Sequence, residues 1–293
     1  MKIAHTITQA RKEIAKARKY THTIGLVPTM GYLHEGHLKL IDIAKAHSDY
    51  VAVSIFVNPT QFGPHEDFSR YPRDFERDRK LCESRGTDLI FAPSVEEMYP
   101  RPSAIRLEIA KLADHLCGAR RPGHFNGVML VVAKLFNIIQ PDVAVFGQKD
   151  AQQLFIIKRM VEDLNFPIKI IAAPTVREKD GLAMSSRNVY LSPKEREQST
   201  VLYRALQRAK ELIAAGERDA RKLKIELEKL IASASEAKID YVEIVDTQDF
   251  QPIEKLEGRV LIALAAYFGR ARLIDNIILE LEDGQVREIA AVE

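Results

Sequence analysis

Short runs of apolar and β-branched residues alternate with helical patterns through the first 175 residues, and this alternation restricts the fold more than any other feature. The apolar runs predict strands near Thr23–Val27, Tyr50–Val57, Asp88–Ala92, Asp142–Phe146 and Ile168–Ala172. Helical periodicity between them predicts helices over His37–His47, Phe75–Arg85, Phe125–Ile139 and Ala151–Leu164. Nearly continuous apolar strands are expected when helices cover both faces of a sheet. The pattern therefore indicates βαβ units with right-handed crossovers.

The pattern changes after about Thr175. Two charged amphipathic helices are predicted over Ser192–Ala215 and Asp219–Ser235, followed by strands over Tyr241–Asp246, Arg259–Phe268 and Arg272–Leu281. Helices followed by a run of strands are typical of an α+β unit with an antiparallel sheet. We predict an α/β fold: a Rossmann-like, mostly parallel sheet with helices on both faces in residues 1–175, and a smaller α+β domain in residues 176–293. The boundary falls in a polar segment, residues 173–188.

Charge and hydropathy narrow the classes of partner. The chain has 43 Lys plus Arg against 41 Asp plus Glu, a net charge of +2, which is not the clustered basic excess of a nucleic-acid binder. The longest purely apolar run, Val260 to Phe268, is less than half of a membrane span. The first twenty residues lack the apolar core of a signal peptide. Cys82 and Cys117 have no metal-ligand spacing and are typical of a reducing compartment. We predict a cytoplasmic protein that binds neither nucleic acid nor membrane.

The first candidate site is the segment PTMGYLHEGH, which runs from Pro28 to His37. It follows the first predicted strand and enters a helix, so its backbone N–H groups and the positive helix end can face an anion. Gly31 and Gly36 permit tight turns and close backbone approach. His34 and His37 are three residues apart, so both can point at one bound group if the segment is helical there.

Other kinds of site fit this segment less well. A P-loop would need Lys and Ser or Thr after its second glycine, but His37 and Leu38 follow Gly36. The dinucleotide fingerprint Gly-x-Gly-x-x-Gly is absent. A zinc site of the His-Glu-x-x-His type is disfavoured because the second histidine comes one residue early and no third ligand is evident. A plain turn with two solvated histidines remains open.

The second candidate is FGQKDAQQ, from Phe146 to Gln153, which follows another predicted strand. Gly147 gives the turn, Lys149 can meet a phosphate, and Asp150 can bind ribose or metal-bound water. Asp is also a favoured N-cap, so a simple helix start is the alternative. Ligands of parallel sheets bind at the carboxyl ends of the strands, which favours a role in binding.

Three further segments carry suitable donors. Met184 to Asn188, MSSRN, combines two hydroxyls with a guanidinium, a donor set suited to pyrophosphate. Asn58 and Gln61 in SIFVNPTQF offer neutral groups for a hydroxylated substrate. The loop RRPGHFNG, with Arg120, Arg121 and His124, suits a carboxylate or phosphate, but a solvated basic turn is an equal alternative. These residues' roles stay open at this point. We also expect residues 179–188 to form a mobile lid, because a polar segment has few apolar contacts to hold it.

Together these segments resemble the pantothenate synthetase family. PTMGYLHEGH, SIFVNPTQF, RYPRDFERD, RRPGHFNGV, FGQKD-x-QQ and KDGLAMSSRN occur in the family's order and at its usual intervals, and the resemblance covers roughly residues 1 to 290. The family resembles a wider group of nucleotidyltransferase-like folds with a His-x-Gly-His loop and a mobile Lys-Met-Ser-Lys-Ser-type loop. The resemblance implies that the two histidines and the Met184–Arg187 segment belong to one ATP site.

The resemblance also implies a reaction and its participants. ATP, pantoate and β-alanine would give pantothenate, AMP and pyrophosphate through a pantoyl-adenylate, with Mg²⁺ bound together with ATP, and the protein would be a homodimer. Pantoate would be held by Gln61 and Gln153, and His37 would act as proton donor. The residues implied to contact ATP are Met30, Gly31, Tyr32, Leu33, His34, Glu35, Gly36, His37, Gly147, Gln148, Lys149, Asp150, Val176, Met184, Ser185, Ser186 and Arg187.

The physical chemistry of this reaction agrees with those residue types. Displacement at phosphorus spreads negative charge over non-bridging oxygens, so catalysis depends on positioning and electrostatic stabilisation. His34, His37, Lys149 and Arg187 are expected to supply positive charge, with Mg²⁺ sharing the polyphosphate and no protein metal cage. Two rivals are an adenylyltransferase, which joins AMP stably to a phosphate-bearing substrate, and a non-catalytic nucleotide-binding module. Several separate loops suited to binding an anion argue against the non-catalytic module.

Overall fold

The computed structural model describes residues 1–64, 66–282 and 285–290. Its strands are β1 (Lys2–Ala4), β2 (Ile24–Thr29), β3 (Tyr50–Ile55), β4 (Leu89–Phe91), β5 (Val143–Gly147), β6 (Lys169–Ala173), β7 (Ala237–Asp246), β8 (Gly258–Phe268), β9 (Ala271–Glu282) and β10 (Gln285–Ile289). Its α-helices are α1 (Ile7–Ala17), α2 (Glu35–His47), α3 (Phe75–Ser84), α4 (Val95–Met98), α5 (Leu116–Arg120), α6 (His124–Ile139), α7 (Ala151–Asp163), α8 (Pro193–Gln198), α9 (Val201–Ala214) and α10 (Ala220–Ala232). None of the helices in these described ranges is long and apolar enough to cross a membrane.

The first sheet is parallel and has the order β1-β4-β3-β2-β5-β6. After β2 the chain builds outward through β3 and β4, and it then returns to place β5 on the other side of β2. The carboxyl ends of β2 and β5 therefore mark the topological switch point, where ligands of such sheets bind. The central strands are fully buried, with Leu26 and Ala144 both 0% exposed, as their apolar sequences require.

The second sheet is antiparallel, with the order β10-β9-β8-β7. Helices α9 and α10 cover one of its faces, where Leu206 and Leu227 pack with Leu264 in a shared core. The other face carries Tyr241 and Leu261, which belong to the same core as the first sheet and its helices. The predicted fold class, a parallel sheet followed by an antiparallel one, is confirmed.

Several predicted boundaries were wrong. Strands β1 and β10 and helix α1 were missed, since the two strands are short or mixed in polarity and lie at sheet edges. The single helix predicted over Ser192–Ala215 is two helices, α8 and α9, which are separated at Ser199 and Thr200. Strand β2 continues through Pro28 to Thr29, although proline cannot donate to a ladder. This is tolerated because the pairing of β2 with β5 involves only Gly25 and Leu26, before the proline is reached.

Candidate active site

A cavity opens at the carboxyl ends of β2 and β5, at the switch point of the first sheet. It is bordered by four of the predicted segments: the loop between β2 and α2, the turn after β3 that carries Asn58 and Gln61, the loop after β5, and residues 184–187. Most of the predicted site residues line it, namely Met30, His34, Gly36, His37, Gln61, Gly147, Lys149, Asp150, Gln153, Val176, Met184, Ser185, Ser186 and Arg187. The fold thus brings together side chains that are up to 157 positions apart, from Met30 to Arg187.

The loop before α2 is held in shape by a buried carboxylate of α3. Gly31 has φ +81 and Tyr32 has φ +50, so two consecutive residues adopt the left-handed conformation that is costly for tyrosine. Asp78, only 1% exposed, accepts the backbone N–H groups of Tyr32 and Leu33, each at 2.7 Å. Burial raises the pKa of Asp78 despite these bonds. The two charge-assisted hydrogen bonds offset the backbone strain and aim the loop at the cavity.

His34 and His37 cap the start of α2 reciprocally. The backbone N–H of Gly36 donates to Nδ1 of His34 at 3.1 Å, and the backbone N–H of His34 donates to Nδ1 of His37 at 3.3 Å. Because each Nδ1 accepts a hydrogen bond, the proton of each neutral ring lies on Nε2. The ring centroids are 4.1 Å apart. Each histidine therefore keeps one N–H donor for a group bound in the cavity.

The surroundings of these histidines disfavour the positive charge that the sequence led us to expect. Burial and the nearby Lys149 lower the pKa of His34 to about 4. Burial and the neighbouring His34 ring lower the pKa of His37 well below its usual value. Two cations on adjacent half-buried rings would repel each other, so both rings are neutral near pH 7. They can act as neutral hydrogen-bond donors, and the positive charge of the site comes from Lys149 and Arg187.

The loop after β5 is fixed by the second sheet. Asn276 of β9 is 4% exposed, and its Nδ2 donates to the carbonyl oxygens of Gln148 at 3.1 Å and Lys149 at 2.9 Å. These bonds hold the backbone of a short 3₁₀ turn, Gln148–Asp150, at the entrance to α7. The ammonium of Lys149 lies 3.8 Å from the carboxylate of Asp150. Asp150 makes no side-chain capping hydrogen bond, so the alternative of a simple helix cap is not supported.

The segment between β6 and α8 forms a small hairpin whose base, at Val176 and Met184, lines the cavity. Arg177 and Ala183 pair across it, and Gly181 turns it with φ +93. Leu182 and Ala183 are 3% and 4% exposed, and Leu182 packs in the core of the second sheet, so the premise that residues 179–188 have few apolar contacts does not hold for these two residues. The hairpin is also tied to β9, because Arg177 donates to both carboxylate oxygens of Asp275 at 2.6 and 3.0 Å. The mobility of this segment stays a prediction.

The amide of Gln61 is held from two sides. Nδ2 of Asn58 donates to Oε1 of Gln61 at 3.1 Å, and Nε2 of Gln61 lies 3.1 Å from the sulfur of Met30. The backbone carbonyl of Gln61 accepts from His124 at 2.8 Å and from Arg121 at 3.2 Å. Arg121 itself forms a bidentate pair with Glu66. Arg121 and His124, whose roles the sequence left open, therefore hold the backbone that carries Gln61.

Five predicted ATP-contacting residues do not line the cavity, and their contact with ATP stays a prediction. They are Gly31, Tyr32, Leu33, Glu35 and Gln148. Leu33 is fully buried in the core, and the ring of Tyr32 lies under the guanidinium of Arg77 at 5.0 Å. Glu35 points to solvent and pairs with Arg85 at 2.9 Å. Gln148 is 6% exposed and lies inside the turn at the start of α7. These residues shape the loops that carry the lining residues.

Known proteins resemble the chain in sequence and in structure. The family model for pantoate–β-alanine ligase matches residues 2–278. A pantothenate synthetase of Moorella thermoacetica is 57% identical, covering 97% of this chain and 100% of its own. One from Thermotoga petrophila is 58% identical, covering 95% and 100%. The crystal structure of pantothenate synthetase from Thermus thermophilus superposes with a TM-score of 0.89, at 46% identity, covering 94% of this chain and 98% of its own. The chain belongs to the pantoate–β-alanine ligase family. The resemblance predicted from the motifs is thereby confirmed.

A structure of the pantoate–β-alanine ligase from Francisella tularensis has a TM-score of 0.77 and 37% identity, covering 94% of this chain and 97% of its own. That enzyme is described as complexed with β-γ ATP and β-alanine.

Some residues that shape the site of this pantoate–β-alanine ligase were not singled out from the sequence. Asp78 and Tyr71 both lie in the motif RYPRDFERD, whose residues received no individual role from the sequence. Tyr71 lines the cavity and is 5% exposed. The signal in the sequence was the high density of charged residues around Tyr71 in this motif. Asn276 lies in an apolar strand, where a buried amide is a second signal because it must find hydrogen-bond partners.

Proposed function

We propose that this protein catalyses the ATP-dependent condensation of pantoate with β-alanine to pantothenate, releasing AMP and pyrophosphate. The observation that carries the proposal is the convergence of two neutral imidazoles, Lys149, Arg187 and the amides of Gln61 and Gln153 on one cavity. Membership of the pantoate–β-alanine ligase family, with relatives matched over nearly their whole length, supports it.

The first step is attack of the pantoate carboxylate on the α-phosphorus of ATP, with pyrophosphate leaving. Negative charge then grows on the phosphate oxygens. Lys149 and Arg187 supply the compensating charge, and His34 and His37 supply N–H donors from Nε2. Pre-oriented donors of this kind stabilise a transition state without reorganising. A neutral imidazole with its proton on Nε2 can donate a hydrogen bond, so His37 acts in this proposal by stabilising charge and not by transferring a proton.

The second step is attack of the β-alanine amine on the pantoyl carbonyl, which releases AMP. Pantoate must stay in place while the nucleotide end changes, and Gln61 and Gln153 suit that task because neutral amides can bind its hydroxyls without adding charge. The apolar wall opposite, with Val128, Val131 and Leu135 from α6, matches the methyl groups of pantoate. The adenylate must be shielded from water, which competes with the amine.

Magnesium is expected to arrive with ATP as part of the substrate. Among the described residues there is no group of three or more His, Cys, Asp or Glu side chains placed to hold a metal ion. Mg²⁺ is commonly held by phosphates and water with one or two carboxylates, and Asp150 at the cavity can provide one. A cytoplasmic location, a homodimeric assembly and a domain boundary near residue 175 complete the proposal and rest on the sequence and the family resemblance.

The deciding experiment is a product assay with ATP, pantoate and β-alanine. Pantothenate and AMP should form in equal amounts, and pyrophosphate exchange into ATP should require pantoate but not β-alanine. An adenylyltransferase would need no amine and release no AMP, while a binding module would turn over nothing. Exchange that ignores pantoate would contradict a free pantoyl-adenylate.

A further inference from the structure

Gln61 presents one definite end of its amide to the cavity, and the residues around Asn58 determine which end. Asn58 is 1% exposed and lies just before the 3₁₀ turn Pro59–Gln61. Its Nδ2 lies 3.1 Å from the carbonyl oxygen of Gly127, which can only accept. Its Oδ1 lies 3.3 Å from the backbone N–H of Thr60, which can only donate. These two backbone groups settle the orientation of the Asn58 amide.

The orientation of Gln61 follows from that of Asn58. Because Nδ2 of Asn58 faces Gln61, the atom of Gln61 that meets it must be the acceptor Oε1, at 3.1 Å. Nε2 of Gln61 is then left on the side of Met30, where it meets only a thioether sulfur, a weak acceptor. Gln61 therefore offers N–H donors to a substrate oxygen. Replacing the weak contact with the Met30 sulfur by a hydrogen bond to that oxygen costs little free energy.

Tyr99, the residue immediately after α4, contacts Asn58. Its hydroxyl donates to Oδ1 of Asn58 at 2.9 Å, a shorter bond than the backbone contact at 3.3 Å. Tyr99 does not line the cavity, so its link to the cavity runs through Asn58. Its ring packs near Phe56, and the ammonium of Lys134 lies 5.4 Å from the ring centre. The backbone of α6 presses on the same turn, because a methyl group at Gly127 would collide with the carbonyl of Thr60.

We propose that Tyr99 is a positioning residue for pantoate, acting through Asn58 to hold the Gln61 amide with its N–H groups toward the substrate. The inference rests on the proposed function, since it assigns Gln61 to pantoate. Without the Tyr99 hydroxyl, Oδ1 of Asn58 keeps only the hydroxyl and the backbone N–H of Thr60, at 2.9 and 3.3 Å, and the buried amide gains freedom to shift or turn. Gln61 then loses its fixed acceptor contact and offers its donors to pantoate for less of the time.

The test is a double-mutant cycle between Tyr99→Phe and Gln61→Ala, with KM measured separately for pantoate and ATP. Tyr99→Phe should raise the KM for pantoate about 3- to 10-fold, the range for one lost interior hydrogen bond, with the KM for ATP changed less than about 2-fold. In the Gln61→Ala background, Tyr99→Phe should change the KM for pantoate by less than about 2-fold. A purely structural role would leave the two effects additive.

Tyr50→Phe is the matched control. Tyr50 is a half-buried tyrosine at the start of β3, whereas Asn58 follows the end of that strand. It should leave both KM values unchanged. Thr60→Val is a second variant, since the Thr60 hydroxyl donates to the same Oδ1 at 2.9 Å, and it should act in the same direction as Tyr99→Phe. An active wild-type enzyme with an unchanged pantoate KM in Tyr99→Phe, or with additive effects in the cycle, would overturn the role of Tyr99. A wild-type enzyme that ignores pantoate would overturn the proposed function itself.

Discussion

The guanidinium of Arg187 forms a bidentate pair with the carboxylate of Asp67, with 2.9 Å from Nε to Oδ2 and 3.0 Å from Nη2 to Oδ1. The ring of Tyr71 lies beside the same guanidinium, 5.5 Å from its centre. Arginine has five N–H donors, so two bonds to Asp67 leave others for phosphate oxygens. Asp67 thus fixes the plane of the guanidinium at the cavity wall before any ligand binds.

This geometry predicts that arginine at position 187 cannot be replaced by lysine without loss. Lysine keeps the charge, but its ammonium cannot make the parallel pair with Asp67 and also present an oriented fork to phosphate. We expect Arg187→Ala to lower kcat/KM for ATP by roughly 10²-fold and Arg187→Lys by about 10-fold. Steady-state ATP titrations measure both. Arg208→Ala, which removes an exposed arginine of α9, is the control. Equal activities for Arg187→Lys and wild type would show that charge alone suffices.

The strand-to-helix loops could be predicted from the sequence because their signals are local. Glycine, histidine and lysine follow apolar strands within a few positions, and parallel strands collect such loops at one edge. The carboxylates that hold the loops could not be predicted in this way. Asp78 and Tyr32 are 46 residues apart in the sequence, and Asp67 and Arg187 are 120 residues apart. The hydrophobic periodicity of a sequence contains no information about hydrogen bonds between such distant residues. The lowered pKa values of the two histidines could not be predicted either, because burial and their mutual proximity exist only in the folded chain.

Asp78→Asn should disturb the loop before α2 while the helices remain folded. An asparagine can accept only one of the two N–H groups of Tyr32 and Leu33, so the other faces an NH₂ group. A buried donor without a partner costs about 1–3 kcal/mol, and the free energy of unfolding should fall by this amount. The KM for ATP should rise as well. Denaturant unfolding and ATP titration measure the two effects.

Asp74→Asn is the matched control for Asp78→Asn. Asp74 caps the same helix and accepts from the backbone N–H of Arg77, a bond that asparagine can replace. It should leave the KM for ATP near the wild-type value. If both variants behaved alike, Asp78 would have no specific role in the loop.

His37→Ala should lower the rate of pantoate-dependent pyrophosphate exchange by roughly 10²–10³, the usual loss for one preorganised donor. His37→Gln should retain more activity than His37→Ala, because a neutral amide can replace a neutral N–H donor. Burial and the His34 ring lower the pKa of His37, so the ring is already neutral at about pH 6.5. His37 should therefore cause no change in activity between about pH 6.5 and 8. An activity that needed a cationic ring would instead decline over that interval.

Gln61→Ala and Gln153→Ala should weaken the use of pantoate much more than the use of ATP. Each variant leaves a substrate oxygen without its partner in a largely buried site, at a cost of about 1–3 kcal/mol, or roughly 5- to 150-fold in kcat/KM for pantoate. Gln198→Ala removes a glutamine of α8 that bonds to the Glu236 backbone, outside the cavity lining, and serves as the control. A raised KM for ATP with an unchanged KM for pantoate would contradict the assignment of both amides.

The hairpin of residues 177–188 should respond to ligand as a unit. Its backbone bonds, such as Met184 N–H to the carbonyl of Val176 at 3.0 Å, couple the phosphate-facing residues Ser185 to Arg187 with the rest of the hairpin. Phosphate oxygens would give those residues further partners, so opening of the hairpin would become rarer.

We therefore expect saturating ATP or a pantoyl-adenylate analogue to slow hydrogen exchange across residues 179–188, and Arg187→Ala to remove most of this effect. Helix α10, which packs on the far face of the second sheet, is the internal control and should exchange at the same rate with and without ligand. Slowing in both segments would indicate general stabilisation by binding. Unchanged exchange at residues 179–188 in the saturated wild-type enzyme would show that the hairpin is no lid, because its buried Leu182 and Ala183 and its Arg177–Asp275 pair would already hold it closed.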